Sequence, residues 1–230
     1  MPSDPTVSAP RKPIWAAADR DSLPPLQRLA LAYATAENRD WLTGVLLLDA
    51  RLAMIVRGSR EPMLGQLRLA WWREALEQQP GERPAGDPLL AQLHALPGPR
   101  QFLADLTAGW ESLLGEGPLP VAAVVALAEA RARAMAVLPH GSAPNSPAVR
   151  LARNWALVDI ASRLGEATER KAATDLARSQ DWSAAKLPRS LRPIAMLHGV
   201  AWRQVWREPI SPGITYRDLV VAVRIGLAGR

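Results

Sequence analysis

The sequence predicts an all-α protein with a single domain, and three observations lead to this prediction. Stretches rich in Ala, Leu, Arg and Glu are separated by proline and glycine, as in helices joined by loops. The alternation of apolar and polar positions that marks half-buried strands does not appear. With 230 residues, of which 48% are hydrophobic, the chain can bury a substantial core. We place the domain at residues 25–230 and expect the polar, proline-rich residues 1–24 to be disordered.

Proline and glycine positions predict where each helix begins and ends. Pro25 and Pro62 stand at first-turn positions, where proline costs a helix no hydrogen bond, and Gly58 ends the helix between them. Further proline and glycine clusters end the next helices, and Gly165 either kinks or interrupts a long helical stretch. We therefore expect helices at residues 25–37, 40–57, 62–79, 89–96, 101–114, 121–138, 148–164, 166–180, 191–207 and 216–227.

Composition excludes several kinds of site. There is no cysteine, so disulfides, thiolate metal ligands and cysteine nucleophiles are excluded, and the three histidines lack zinc-ligand spacing. The net charge is +6, and all but three of the 28 basic residues are arginines. Their scattered distribution either reflects a GC-rich genome or attracts phosphate groups, and it does not predict nucleic-acid binding. No signal peptide or membrane span is recognisable, so we expect a cytoplasmic protein that can contact the inner face of a membrane peripherally.

Residues 46–76 carry the most specific pattern in the chain. They read LLLDARLAMIVRGSREPMLGQLRLAWWREAL and contain the adjacent tryptophans Trp71 and Trp72, flanked by Arg68 and Arg73. This stretch resembles the first aspartate helix, the turn and the tryptophan helix of the squalene/phytoene synthase family. The resemblance implies a shortened helical bundle of the isoprenoid synthase type.

The acids that catalysis in that family requires are missing here. Family enzymes hold magnesium and the substrate diphosphates with aspartates four apart on two facing helices. The positions that correspond to the first motif are Ala53, Met54 and Arg57, and on the second helix only Asp159 and Glu166 are acidic. No two acids anywhere in the chain are four positions apart. Asp159 is either a buried acid paired with an arginine or a general base.

The resemblance therefore implies a member that has lost prenyl transfer. It is similar to a non-catalytic branch that includes an assembly factor of mitochondrial respiratory complex I. We expect no catalytic residue, metal ligand or cofactor, and a role in assembling a membrane complex or in binding a prenyl diphosphate or lipid. Two alternatives stay open: an active, magnesium-dependent head-to-head prenyltransferase of isoprenoid biosynthesis, and a helical module that binds a protein partner.

Five residues form the candidate site for a prenyl diphosphate or lipid ligand. Trp71 and Trp72 diverge by about 100° around a helix, so one should pack in the core while the other caps a groove. Either tryptophan can instead wall a prenyl pocket. Arg68 lies one turn from Trp72, while Arg51 and Arg57 lie on the preceding predicted helix. These guanidinium groups either pair and stack structurally or bind phosphate directly.

A second pattern recurs at a spacing of four, with Trp202 and Arg203 followed by Trp206 and Arg207. This spacing places both tryptophans on one helix face and both arginines on the next. Such a stripe is typical of a core contact, and the alternative is a face that docks a protein partner or a membrane. His198 on the same helix is expected to be packed rather than catalytic.

Overall fold

The computed structural model describes residues 14–59, 61–78, 86–115, 117–137 and 146–229. All regular secondary structure in these ranges is helical, which confirms the predicted all-α class. The α-helices are α1 (Ala17–Asp21), α2 (Pro25–Ala32), α3 (Ala36–Gly58), α4 (Pro62–Glu77), α5 (Pro88–Ala95), α6 (Gln101–Glu111), α7 (Val121–Ala136), α8 (Pro147–Arg163), α9 (Ala167–Arg178), α10 (Arg192–Gln204) and α11 (Tyr216–Ala228). A 3₁₀ turn at Arg189–Leu191 precedes α10. Within the described ranges no helix combines the length and apolarity needed to cross a bilayer.

Proline in the first turn starts α2, α4, α5, α8 and α10, which is why the sequence located most helix starts closely. The helix expected at residues 25–37 is instead interrupted between α2 and α3. Arg39 donates to the carbonyl oxygens of Leu31 at 3.2 Å and Ala34 at 2.8 Å, and so satisfies groups at the end of α2. A second interruption, which includes Gly165, separates α8 from α9.

The helices form a bundle in which consecutive elements are mostly neighbours in space. α4 packs on α6, α6 on α7, α7 on α8, and α8 on α9 and α10. α10 in turn packs on α11 and α2, while α3 contacts α4, α6 and α7. Leucines of three different helices, Leu48, Leu106 and Leu127, are completely buried where these elements meet. The core therefore lies around α3, α6, α7 and α8, and charged groups inside it need partners.

The predicted disorder of residues 1–24 is wrong for the part that the structure describes. Trp15 is buried, and its indole Nε1 donates to the carbonyl oxygen of Asp40 at 2.8 Å. A Cβ on Gly44 would lie 2.9 Å from the Trp15 ring, so the glycine makes room for it on α3. One buried indole supplies enough apolar area to hold this short segment against the domain. Residues 1–13 lie outside the described residues.

Candidate functional site

A charged cluster lies inside the bundle, where α3, α6, α7 and α8 meet. Arg131 of α7 donates from Nε and Nη2 to the two carboxylate oxygens of Asp49 of α3, at 2.8 and 2.7 Å. Its Nη1 donates to Oδ2 of Asp159 of α8 at 3.0 Å. Trp110 of α6 donates from Nε1 to Asp49 Oδ1 at 2.8 Å, and its ring centroid lies 5.0 Å from the Arg131 guanidinium carbon. We call Asp49, Trp110, Arg131 and Asp159 the charged centre.

Arg163 supplies a second positive charge, which balances the two carboxylates of the charged centre. Arg163, one turn after Asp159, donates to its Oδ1 at 3.0 Å, so acids and arginines alternate from the core toward the surface. Burial alone would raise the pKa of Asp159, but the charges of Arg131 and Arg163 lower it below its usual value. Burial would likewise lower the pKa of Arg131, and the charges of Asp49 and Asp159 raise it instead. Arg131 and Asp159 are therefore both ionised at neutral pH.

The close packing of α6 on α7 places Trp110 next to Arg131. A Cβ on Gly109 would lie 2.9 Å from the Cβ of Ala130, closer than real side chains approach. Only a glycine against an alanine lets the two helices meet at this point. Trp110 and Arg131, the next residue on each helix, are consequently adjacent.

Asp159 pairs with Arg131 and Arg163, which confirms the first of its two predicted roles, although the sequence did not identify these partners. Asp49 follows three leucines, and Arg131 stands in the Ala/Val-rich stretch of α7. A charge inside an apolar run needs a counter-charge when the helix is buried, and this signal could have linked the two residues.

The three positions that the resemblance assigned to the first acidic motif do not form part of the charged centre. Ala53 is buried, while Met54 and Arg57 are exposed. Asp49, one turn before Ala53, is the acid that α3 directs into the core.

Every carboxylate oxygen of the charged centre already accepts a hydrogen bond. Both oxygens of Asp49 are used by Arg131, and one is shared with Trp110. The two oxygens of Asp159 accept from Arg131 and Arg163. A divalent cation could reach them only by displacing a guanidinium group. Elsewhere in the described ranges, no three His, Asp or Glu side chains are grouped so that they could hold a metal ion.

A surface groove between α3 and α4 gathers four of the five predicted ligand-binding residues. It has a volume of about 420 Å³, and we call it the tryptophan groove; its lining is Arg51, Ile55, Leu67, Arg68, Trp71 and Trp72. The indole rings of Trp71 and Trp72 meet edge to face with centroids 5.5 Å apart. Trp72 is buried and Trp71 is 42% exposed, which confirms that one packs while the other faces the groove. The fifth predicted residue, Arg57, does not line it.

The two arginines of the tryptophan groove differ in how firmly they are held. Arg51 donates to Asp87 Oδ2 at 3.2 Å and lies 5.8 Å from the Trp72 ring centroid. Arg68 is exposed and makes no ion pair with another described residue. Arg73, next to the tryptophans, pairs with Glu111 at 2.6 Å and not along its own helix. Arg68 is therefore the side chain here that can turn toward an anion.

An apolar stripe runs along α4 from the tryptophan groove. It consists of Met63, Leu64, Leu67 and Trp71, which are between 42% and 77% exposed. The members on α4 recur at helical spacing, so they share one side of the helix. An exposed apolar stripe flanked by arginines is typical of a face that meets a lipid or a partner.

The tryptophans of the second predicted pattern face outward. Trp202 and Trp206 are 50% and 56% exposed, so the expectation of a core contact is wrong for them. Arg203 and Arg207 instead turn to Asp218, which is completely buried, with N–O distances of 3.2 and 2.6 Å. The buried face of α10 is formed mainly by apolar residues such as Ile194, Leu197 and Val200. The two arginines lie partly exposed and bind the buried carboxylate of α11. The helix expected at residues 191–207 ends at Gln204, so Trp206 and Arg207 follow α10 rather than belong to it.

Asp218 also caps α11. Its Oδ2 accepts hydrogen bonds from the backbone N–H and the hydroxyl of Thr215, each at 2.8 Å. Burial alone would raise the pKa of Asp218, but the hydrogen bonds from Arg207 and Thr215 lower it to about 2. Asp218 is thus a structural anion and not an acid–base group at neutral pH.

Comparison with known proteins adds no assignment. No family model, no curated protein and no solved structure matches the chain. The functional argument therefore rests on the charged centre, the tryptophan groove and the exposed faces of α4 and α10.

Proposed function

We propose that this protein is a non-catalytic, shortened bundle of the squalene/phytoene synthase type that binds a phosphate-headed lipid in its tryptophan groove. The loss of catalysis is supported above all by Arg131, whose guanidinium group lies between Asp49 and Asp159. An enzyme of this type needs such carboxylates to hold magnesium against the substrate diphosphate. Here they neutralise a buried arginine.

Placing magnesium at the charged centre is electrostatically unfavourable. The ion would have to displace Arg131, whose side chain is only 4% exposed, and leave its charge buried without a partner. If Arg131 stayed, two cations would share the same two carboxylates at close range, and in a buried environment such repulsion is only weakly screened. The residues present therefore do not fit a magnesium–diphosphate cluster.

The tryptophan groove supplies the two chemistries that a phosphate-headed lipid requires. Guanidinium groups bind phosphate oxygens through charge-assisted hydrogen bonds, and Arg68 has no competing ion pair among the described residues. Leu67 and Trp71 continue the groove into the exposed apolar stripe of α4, where a hydrocarbon chain can lie. The same chemistry fits a free prenyl diphosphate and an anionic phospholipid in a membrane face. Binding of an anionic phospholipid would hold the protein on a membrane surface, which suits a peripheral role in assembling a membrane complex.

Two binding measurements separate these sources. Geranylgeranyl diphosphate is titrated calorimetrically, and sedimentation is measured with vesicles of phosphatidylcholine alone or mixed with phosphatidylglycerol. Arg68→Gln should weaken binding to the relevant probe about fivefold, as expected for one arginine near an anionic lipid. Trp71→Ser should weaken it as well. Arg217→Gln, which removes an exposed arginine on α11, is the matched control and should have no effect.

Binding to neither probe, or equal binding by wild type and Arg68→Gln, would refute the lipid part of the proposal. Catalysis is tested independently by incubating the protein with farnesyl diphosphate and magnesium and measuring pyrophosphate. We expect no release above a protein-free blank. Metal-dependent release would overturn the non-catalytic assignment and favour an active prenyltransferase.

A second candidate function is docking of a protein partner through the C-terminal end of α10 and the turn that follows it. It is supported by the exposure of Trp202 and Trp206, since large aromatic side chains are enriched at interfaces and costly to leave in water. A partner that co-purifies with the wild type should be lost with Trp206→Glu while the circular dichroism spectrum stays unchanged. Retention of the partner by this variant would exclude the α10 face.

A further inference from the structure

A second groove lies at the other side of the bundle, between α8, α10, α11 and the segment at residues 182–185. Its volume is about 370 Å³, within the range of small-molecule sites, and it shares no lining residue with the tryptophan groove. The lining groups used below are Leu151, Trp182, His198, Trp202, Arg224 and Ile225, and we call this site the histidine groove.

His198 is a buried polar side chain of the histidine groove with an unsatisfied nitrogen. The residue is 6% exposed, and its Nε2 has no hydrogen-bond partner among the residues that the structure describes. Its ring stacks on Trp182 with centroids 5.2 Å apart and an interplanar angle of 25°, so packing fixes its orientation. Buried polar nitrogens nearly always have a partner, because leaving one unpaired costs free energy. A ligand in the groove can supply that partner.

The charges around the histidine groove favour an anion with a single negative charge. Burial, together with the charge of Arg150, lowers the pKa of His198 to about 4 against the opposing charge of Asp181, so the imidazole is neutral at pH 7. Arg224 lines the groove and makes no ion pair with another described residue. One cation and one neutral N–H donor match a carboxylate, whereas a doubly charged phosphate would lack a second cation in the lining.

The remaining walls of the histidine groove are apolar. Leu151 and Ile225 are buried beneath its surface, and Trp202 contributes an indole that is half exposed to solvent. Ala184, Ala185 and Ala195 line the same groove with small side chains that leave room for a ligand. A hydrocarbon chain in this position would cover the exposed indole of Trp202 and remove apolar surface from water.

We propose that the histidine groove binds a single-chain carboxylate amphiphile of the fatty-acid type. The carboxylate accepts hydrogen bonds from Arg224 and from the His198 Nε2–H. The chain lies against Leu151, Ile225 and the indole of Trp202. This site is independent of the phosphate-headed lipid proposed for the tryptophan groove, because the two grooves have no residue in common.

The test is a calorimetric titration of the full chain with monomeric sodium decanoate, with 1-decanol as the uncharged control. Decanoate should bind at least about tenfold more tightly than decanol, because a charge-assisted pair is lost with the alcohol. Arg224→Gln and His198→Phe should each weaken decanoate binding about tenfold, while Arg217→Gln on the same helix should not. His198→Phe keeps an aromatic ring against Trp182, which limits damage to the fold.

A second readout does not depend on the variants. In the wild-type protein, decanoate should shift the ¹⁵N resonance of His198 Nε2, which can be assigned among only three histidines. Equal affinity for decanoate and decanol, an unmoved Nε2 resonance, or unchanged binding by a folded Arg224→Gln variant would overturn the proposal. So would binding only to decanoate embedded in phosphatidylcholine vesicles, which would show a membrane surface to be the ligand.

Discussion

Removing Arg131 should be among the most destabilising single changes in this protein. Arg131→Met deletes three hydrogen bonds and leaves the carboxylates of Asp49 and Asp159 in the core without their shared cation. Both acids are at most 14% exposed in their side chains, so water cannot replace the guanidinium group. Breaking a buried ion pair from one side costs about 3–5 kcal/mol, a large share of the roughly 5–15 kcal/mol that stabilises a typical domain.

The stability lost in Arg131→Met should depend on pH and should be partly restored by neutralising the two acids. Without the charge of Arg131, burial of Asp159 is opposed only by Arg163, so its pKa rises and the native state of Arg131→Met takes up a proton more readily than the native wild type. The destabilisation should therefore shrink as the pH falls from 7.5 to 5.5. Combining Arg131→Met with Asp49→Asn and Asp159→Asn removes the unpaired charges and should restore more than half of the loss, because a neutral set costs far less to bury.

Urea denaturation followed by tryptophan fluorescence and circular dichroism measures these differences. Arg133→Met on the same helix is the matched control, because its pair with Glu129 is about 40% exposed on both sides and is worth less than about 1 kcal/mol. If Arg131→Met cost less than about 1 kcal/mol, or if the triple variant recovered nothing, the buried ion network would not stabilise the fold.

Three further predictions follow from other parts of the structure. Asp218→Asn should cost about 2 kcal/mol at pH 7, because the native-state pKa of Asp218 lies below that of the unfolded chain and the ionised carboxylate stabilises the fold. This stability is lost as the pH falls from about 4 to 2, so the free energy of unfolding, measured by urea denaturation, should depend less on pH in the variant. His198 should also make stability depend on pH, because between pH 6.5 and 4 the unfolded chain binds a proton at this histidine and the native chain does not. As the pH falls through that range, the free energy of unfolding of the wild type should decrease by about 3 kcal/mol relative to His198→Phe, and an ordinary pKa for the ring by NMR would contradict this. Gly109→Ala should cost about 1–3 kcal/mol in thermal melts, since its Cβ would collide with Ala130; an unchanged melting temperature would show that α6 and α7 can separate freely.

Local chemistry made much of the fold predictable. A proline in the first turn starts α2, α4, α5, α8 and α10, and this effect acts within a few residues of the proline. The divergence of Trp71 and Trp72 is also local geometry, and the structure confirms that one is buried and one is exposed. Where prediction failed, a side chain formed a hydrogen bond with backbone outside its own helical turn. Trp15 is ordered because it reaches α3, and α2 ends early where Arg39 binds its last carbonyl groups.

The face of α10 illustrates what helical spacing leaves open. The spacing of four correctly separates Trp202 and Trp206 from Arg203 and Arg207. It does not specify which face is buried, and hydrophobicity alone favours the tryptophans. In the structure neither set forms the packed face, because apolar residues such as Leu197 and Val200 are buried instead. The arginines reach the buried carboxylate of Asp218 on α11, which needs a counter-charge, and the two indole rings stay exposed.

The sequence by itself determined the helical class, most helix boundaries and the absence of acids four positions apart, and it named four of the six residues that line the tryptophan groove. Only the tertiary structure decided which buried charges are partners. Asp49 and Arg131 are 82 positions apart, and Arg131 and Asp159 are 28 apart, so no local pattern links them. A buried charge is paired by whichever helix packs against it, and that packing depends on the whole set of contacts in the core.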